Sequence, residues 1–163
     1  MGREKIVSSA KLKEETNRLK RNGEKVVFTN GCFDILHVGH VRYLGEAKKL
    51  GDVLIVALNS DASVRKIKGV KRPVLPEDER AEILASLSMV DYVIIFEDET
   101  PLALIESLKP DVLVKGGDWE IENVVGREAV RDGGGKIEII PVVKGASTTN
   151  IIEKIIKIHC LNL

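Results

Sequence analysis

The chain has 163 residues, 44% of them hydrophobic, which is the length of one domain with enough apolar material for one sizeable core. Its 25 basic and 25 acidic side chains cancel, and no long run of either sign offers a surface for nucleic acid or an anionic membrane. Cys32 and Cys160 are its two cysteines and belong to no CxxC or Cys/His cluster, so a reducing cytoplasm and no structural zinc are expected. MGREKIVSS at the N-terminus has no apolar core of signal-peptide length, and no apolar segment approaches membrane-spanning length, so a soluble cytoplasmic protein is expected.

Residues Ser9 to Arg21 carry Leu12 and Leu19 in a charged background, with Gly23 as a stop signal, and predict a surface helix that leads into the first strand. Lys25 to Thr29 reads as that strand. A turn at Asn30 and Gly31 follows, then a helix from Val38 to Leu50 closed by Gly51. VLIVAL, from Val53 to Leu58, is a continuous apolar run of the kind found in a parallel strand covered on both faces.

The polar stretch after it gathers Lys66, Lys68, Lys71 and Arg72 around Gly69 and reads as a basic loop, either a phosphate clamp or an ordinary solvated segment. Pro76 and the acids Glu77, Asp78 and Glu79 open a helix to Leu87. DYVIIF forms a third strand, and LALIESL a helix with Thr100 as its cap and Pro101 as its first residue. DVLVKGGDW supplies a fourth strand with a glycine-rich exit. A short helix is predicted over Asn123 to Arg131, and Gly133 to Gly135 turn the chain into KIEIIP as strand five. The last helix starts near Ser147, and its isoleucines at 151, 152, 155, 156 and 158 predict a core-packing element, with His159 solvated at its end.

Strands alternating with helices predict an α/β, Rossmann-like, doubly wound parallel sheet of about five strands in a single domain, with residues 1–23 as a helical extension and 24–158 as the core. Such folds bind ligands beyond the carboxyl ends of their strands. The polar clusters Asn30–His40, Asn59–Asp61, Lys115–Trp119 and Ser147–Thr149 all fall at such exits.

Familiar phosphate and hydrolase motifs are absent: there is no GxxxxGK[ST], no GxGxxG opening the first helix, no GxSxG and no HExxH. What remains is TNGCFDILHVGHVRYL, in which His37 and His40 stand three apart at a helix start with Gly39 between them. Free N–H groups and the helix dipole favour an anion there, and imidazoles can donate to phosphate oxygens. This suits in-line attack by a phosphorylated substrate on the α-phosphorus of a nucleoside triphosphate, with His37, His40 and Lys68 stabilising the growing charge. The plainer alternative makes one histidine a cap and the other a core residue. A metal site would have two ligands and no nearby third, so none is assigned.

GCFDILHVGH resembles the signature of the HxGH nucleotidyltransferase superfamily. LNSDASVRKIKGVKRPV, ERAEILASLSMVDYVIIFEDETP, DVLVKGGDW, VVGREAV and STTNIIEKI extend the similarity over Lys25 to Ile156, toward the adenylyltransferases that form ADP-heptose from D-glycero-D-manno-heptose 1-phosphate. The resemblance implies a lipopolysaccharide-precursor enzyme that uses ATP as substrate with Mg2+. It implies that Thr29, Asn30, Gly31, Cys32, Phe33, Gly39, Lys115, Gly116, Ser147, Thr148 and Thr149 hold the nucleotide, and that Asp34, Asn59, Asp61, Arg72, Asp118 and Trp119 meet the sugar phosphate. Asp34 is alternatively a brace for the turn and Trp119 a cover for the core.

Many superfamily members carry a basic residue just after the serine/threonine motif. Here Ile151 and Ile152 stand there and the nearest base is Lys154, so the contact to the distal phosphates is expected from Arg127 or another residue. Related enzymes often form homodimers, and in many bacteria they are fused to a sugar-kinase domain; with no such domain in this sequence, a homodimer fed by a separate heptose kinase is expected. A cytidylyltransferase for glycerol 3-phosphate is the neighbouring alternative, and a nucleotide-binding regulatory module with decayed catalysis the alternative of another class.

Overall fold

A computed structural model describes residues 2–117 and 119–159. Its centre is a five-stranded parallel sheet made of β1 (Val26–Gly31), β2 (Val53–Asn59), β3 (Tyr92–Phe96), β4 (Val112–Gly116) and β5 (Lys136–Ile140), in the order β3-β2-β1-β4-β5. The chain winds outward from β1 through β2 to β3 and then crosses back to place β4 on the other side of β1. The switch point therefore lies between β1 and β4, where a doubly wound sheet opens a crevice at its carboxyl ends.

Alternation of side chains along each strand feeds two cores. Val26, Phe28, Ile55 and Leu113 point to one face, where α1 (Ser9–Arg21), α5 (Leu102–Leu108) and α6 (Arg127–Asp132) add Leu12, Leu19, Ile105 and Val130. Val27, Leu54, Val56 and Val114 point to the other, where α2 (Val38–Lys48) and α4 (Glu77–Ala85) add Leu44, Ala47, Ala81 and Leu84. The N-terminal segment belongs to the same body: Val7 N–H donates to Val93 O at 3.0 Å, which covers the open edge of β3. Among the described residues no helix is long and apolar enough to cross a membrane.

Gly51 closes α2 by making room. A Cβ there would stand 2.7 Å from both Lys25 O and Val27 Cγ2, so the return from α2 into β2 has no space for a side chain.

Three expectations are corrected. The polar stretch after β2 is not all loop, because Asp61–Lys68 forms helix α3, capped by Ser60, whose Oγ accepts from Ser63 N at 3.2 Å. The helix expected over Asn123–Arg131 starts only at Arg127, after a 3-10 turn at Ile121–Asn123 and an extended Val124. The last helix, α7 (Thr148–His159), buries none of its residues: Ile155, Ile156 and Ile158 are each more than half exposed. Its spacing does make an apolar stripe, but periodicity does not say what surface covers the stripe.

Candidate active site

The turn after β1 is built under tension and tied down on every side. Phe33 and Ile35 adopt left-handed backbone conformations (φ 43° and 49°), costly for residues with large side chains and sustained only where the surroundings impose them. Asp34, between them, is almost fully buried. Its carboxylate accepts from Arg72 Nε at 2.5 Å, from Val74 N at 2.9 Å and from Leu75 N at 3.1 Å. Burial alone would raise the Asp34 carboxyl, but the Leu75 and Val74 N–H groups and the Arg72 guanidinium outweigh it and hold the pKa below the usual range. Asp34 therefore clasps the basic loop to the turn. This is the bracing alternative, and Asp34 also lines the cleft described below.

The histidines follow directly. His37 caps α2, its Nδ1 accepting from Gly39 N at 3.1 Å, while its own backbone N–H donates to His40 Nδ1 at 3.4 Å. The two rings stack at 3.9 Å between centroids, and Phe33 meets His40 edge-on at 5.3 Å. Gly39 is what permits this, since a Cβ there would lie 2.9 Å from the His37 ring.

Burial lowers the pKa of His37, and burial with the neighbouring His37 lowers that of His40 to about 4. Both imidazoles are thus neutral at pH 7. Each uses Nδ1 as an acceptor from a backbone N–H, so each carries its proton on Nε2 and keeps that N–H as a donor for a ligand. Capping and catalysis are not alternatives here, because one ring edge caps the helix and leaves the other free.

His37 and His40 line a cleft of about 530 Å³ at the carboxyl ends of the strands, a volume typical of a small-molecule site. Asn30, Gly31, Cys32, Phe33, Gly39, Asn59, Lys68, Arg72, Gly116, Ser147, Thr148 and Thr149 line it too. Lys68 ends α3 and reaches the cleft from the β2 side. Ser147 to Thr149 bring the N-terminus of α7 from the opposite side, with Thr148 Oγ1 donating to Asp34 O. Two helix N-termini and one lysine therefore converge on one space, an arrangement that favours a polyanion.

Other assigned residues lie elsewhere. Thr29 is fully buried beneath the floor, where it hydrogen-bonds Tyr43 OH at 2.6 Å and Tyr43 in turn donates to Val114 O at 3.2 Å. Burial pushes the Tyr43 phenol up to about 12, so it stays a neutral donor. Thr29 is thus a floor support and not a ligand contact. Asp61 is taken by Arg80, Oδ1 to Nη2 at 2.6 Å, and does not line the cleft. Arg127 lines a separate groove beside α5 and α6 and donates to Glu122 O, away from the phosphates it was expected to meet. Trp119 is 54% exposed and lines neither the core nor the cleft. Lys115 stands just behind the lining and donates to Asn30 Oδ1. Asp118 lies outside the described residues.

Sequence reasoning passed over Arg80, Tyr43, Ile67 and Glu99. Arg80 is 1% exposed and satisfies Leu75 O, Cys32 O, Asn59 O and Asp61 Oδ1 at 2.6 to 3.0 Å, tying the exits of β1 and β2 to the segment that leads into α4. Tyr43, Ile67 and Glu99 line the cleft. Burial raises the Cys32 thiol, which leaves it protonated and without a nucleophile's charge. Among the described residues no three His, Cys, Asp or Glu side chains cluster as a metal site would need.

The model of the family described as Cytidylyltransferase-like matches residues 28–154. The chain is 59% identical over 140 residues to the Bifunctional protein HldE of Geobacter sulfurreducens, covering 86% of this chain and 29% of that protein. It is 56% identical over 153 residues to the protein of the same name from Trichlorobacter lovleyi, covering 94% and 31%. The chain thus spans less than a third of the length of these relatives. Among solved structures, a lipopolysaccharide core biosynthesis protein from Thermoplasma volcanium superposes with a TM-score of 0.62 at 30% identity, covering 76% of this chain and 100% of that one. Pantothenate synthetase from Thermus thermophilus superposes at 0.60 with 19% identity, covering 90% and 67%, a likeness of fold alone.

Proposed function

Because the chain belongs to the cytidylyltransferase-like family, we propose that it transfers AMP from ATP to D-glycero-β-D-manno-heptose 1-phosphate, giving ADP-heptose and pyrophosphate. The observation that carries this reading is the pair of neutral imidazoles, each presenting an Nε2–H to a cleft between the N-termini of α2 and α7.

A phosphate oxygen of the sugar 1-phosphate attacks the α-phosphorus. The bond from that phosphorus to the bridging oxygen breaks, and pyrophosphate leaves with the electron pair. The attacking oxygen is already anionic, so no base is required. The work is positioning and charge stabilisation, which fixed donors in a partly dry cleft supply. His37 and His40 donate to the α-phosphoryl oxygens, the first turn of α7 holds the outer phosphates, and Lys68 draws the acceptor phosphate in from the β2 side. Mg2+ bound to the triphosphate would neutralise charge on its oxygens and on the leaving pyrophosphate.

The heptose acceptor is supported by the sequence resemblance across Lys25 to Ile156 together with the identities of 59% and 56% to the two bifunctional relatives. Under this reading the described residues act as one nucleotidyltransferase domain, in the cytoplasm, on a sugar phosphate that a kinase reaction has made, and as a homodimer. Pyrophosphate release with ATP or CTP across heptose 1-phosphate, other sugar phosphates and glycerol 3-phosphate tests it. Turnover is expected with ATP and heptose 1-phosphate. Turnover only with CTP and glycerol 3-phosphate would replace this reading with the neighbouring one, and nucleotide binding without product from any ester would make the chain a regulatory module.

A further inference from the structure

One residue beyond the last registered pair of β1 and β4, Thr29 with Val114, the side chains of Asn30 and Lys115 stand side by side. They follow Phe28 and Leu113 by two positions and so share the face of the sheet opposite α2. The histidines reach the cleft from one face of the sheet and this pair from the other. Asn30 lines the cleft while Lys115 sits behind it, half buried. Burial lowers the lysine's pKa to about 8, a cost that a purely structural position would avoid with an apolar residue.

An amide has two ends, and what lies behind it decides which end a ligand meets. The Lys115 ammonium has three N–H donors and no acceptor, so it can engage only the amide oxygen, and the hydrogen bond to Asn30 Oδ1 is that contact. Nδ2 is thereby turned away from the lysine. Among the described residues no hydrogen bond is donated from Asn30 Nδ2. Two N–H groups are left for the cleft, at the end of its central strand and backed by a positive charge.

We propose that Lys115 is a positioning residue which fixes the Asn30 amide so that its N–H groups bind a phosphoryl oxygen of the bound substrates. This rests on the nucleotidyl-transfer reading above. The oxygen belongs either to the triphosphate or to the phosphate of the acceptor, and the two sources are separable.

A double-mutant cycle of Lys115→Met and Asn30→Ala tests the proposal, read by pyrophosphate release and by calorimetric affinity for a non-hydrolysable ATP analogue. Each single variant is expected to lose about tenfold or more in kcat/KM, and the double variant no more than Asn30→Ala alone. A fall in analogue affinity assigns the oxygen to the triphosphate. A raised KM for the acceptor at unchanged analogue affinity assigns it to the acceptor. Asn30→Asp keeps a partner for Lys115 and covers the case in which Asn30→Ala fails to fold; without N–H donors it is expected to lose as much. Additive losses, or unchanged analogue affinity and acceptor KM, overturn the proposal. Wild-type protein that binds the analogue but releases no pyrophosphate with any ester would instead overturn the nucleotidyl-transfer reading, and analogue affinity would still read the cycle.

Discussion

The two helix N-termini that face the cleft are held in opposite ways. At α2 both histidines serve the cap, their rings stack on each other with Phe33 edge-on to His40, and the body of the helix packs Leu44 and Ala47 with no exposure at all. At α7 the first turn is anchored, through Asn150 N to Ser147 Oγ at 3.0 Å and Thr148 Oγ1 to Asp34 O, but no residue beyond it is buried. Under the proposed function the difference separates two tasks: groups that meet a transition state gain from being fixed before the substrate arrives, whereas a helix that offers only its N–H groups to outer phosphates needs just its first turn in place.

The largest effect that would break this comparison is on turnover. His40→Ala removes one Nε2–H donor and is expected to lower kcat about 10²–10³-fold, with a retained circular dichroism spectrum and cooperative melting. Retained turnover would put the chemistry elsewhere. In stability, Leu44→Ala at α2 is expected to cost about 2–5 kcal/mol by denaturant titration, because its side chain leaves a cavity in a closed core.

Acid should act through the same rigid turn. The pKa of His40 lies near 4 in the folded chain, below its ordinary 6.5, so the unfolded chain binds the proton more readily. The stability this contributes is present above pH 6.5 and is lost as pH falls toward 4, with a slope worth roughly 3 kcal/mol over that window. His40→Asn is expected to flatten the slope between pH 6.5 and 4, and an unchanged slope would mean that His40 already titrates normally. The smallest effect sharpens the other side of the comparison. Ile155→Ala on the exposed face of α7 is expected to change stability by no more than about 0.5 kcal/mol, and a loss as large as that of Leu44→Ala would mean that the stripe is covered in solution.

Legibility in the sequence followed how local each signal was. Continuous apolar runs such as Val53 to Leu58 announced buried parallel strands, and the strand-turn-helix at Thr29 to Leu44 announced a helix start carrying two histidines, because both signals lie within a few residues. Helix α3 was obscured, since Val64 and Ile67 are its only large apolar residues in eight and a charged stretch of that kind reads as loop. Arg80 was invisible for a different reason: an arginine amid DERAE looks like a solvated helix face, and only the tertiary fold brings Cys32 O, Asn59 O and Asp61 around it. The same limit explains Asp34, Asp61 and Arg127, whose partners or placement depend on chain segments that spacing cannot bring together. Glu99 had a usable sign, being a polar residue at the exit of β3, where ligands of such folds gather.

The central claim is that both histidines stand neutral with the proton on Nε2 before any substrate binds. Nitrogen-15 NMR of the imidazole rings in the ligand-free protein tests it directly. At pH 7 both His37 and His40 are expected to show a protonated Nε2 and a bare Nδ1, and His40 to keep that state down to about pH 4. A His40 ring protonated on both nitrogens at pH 7, or carrying its proton on Nδ1, would contradict the account.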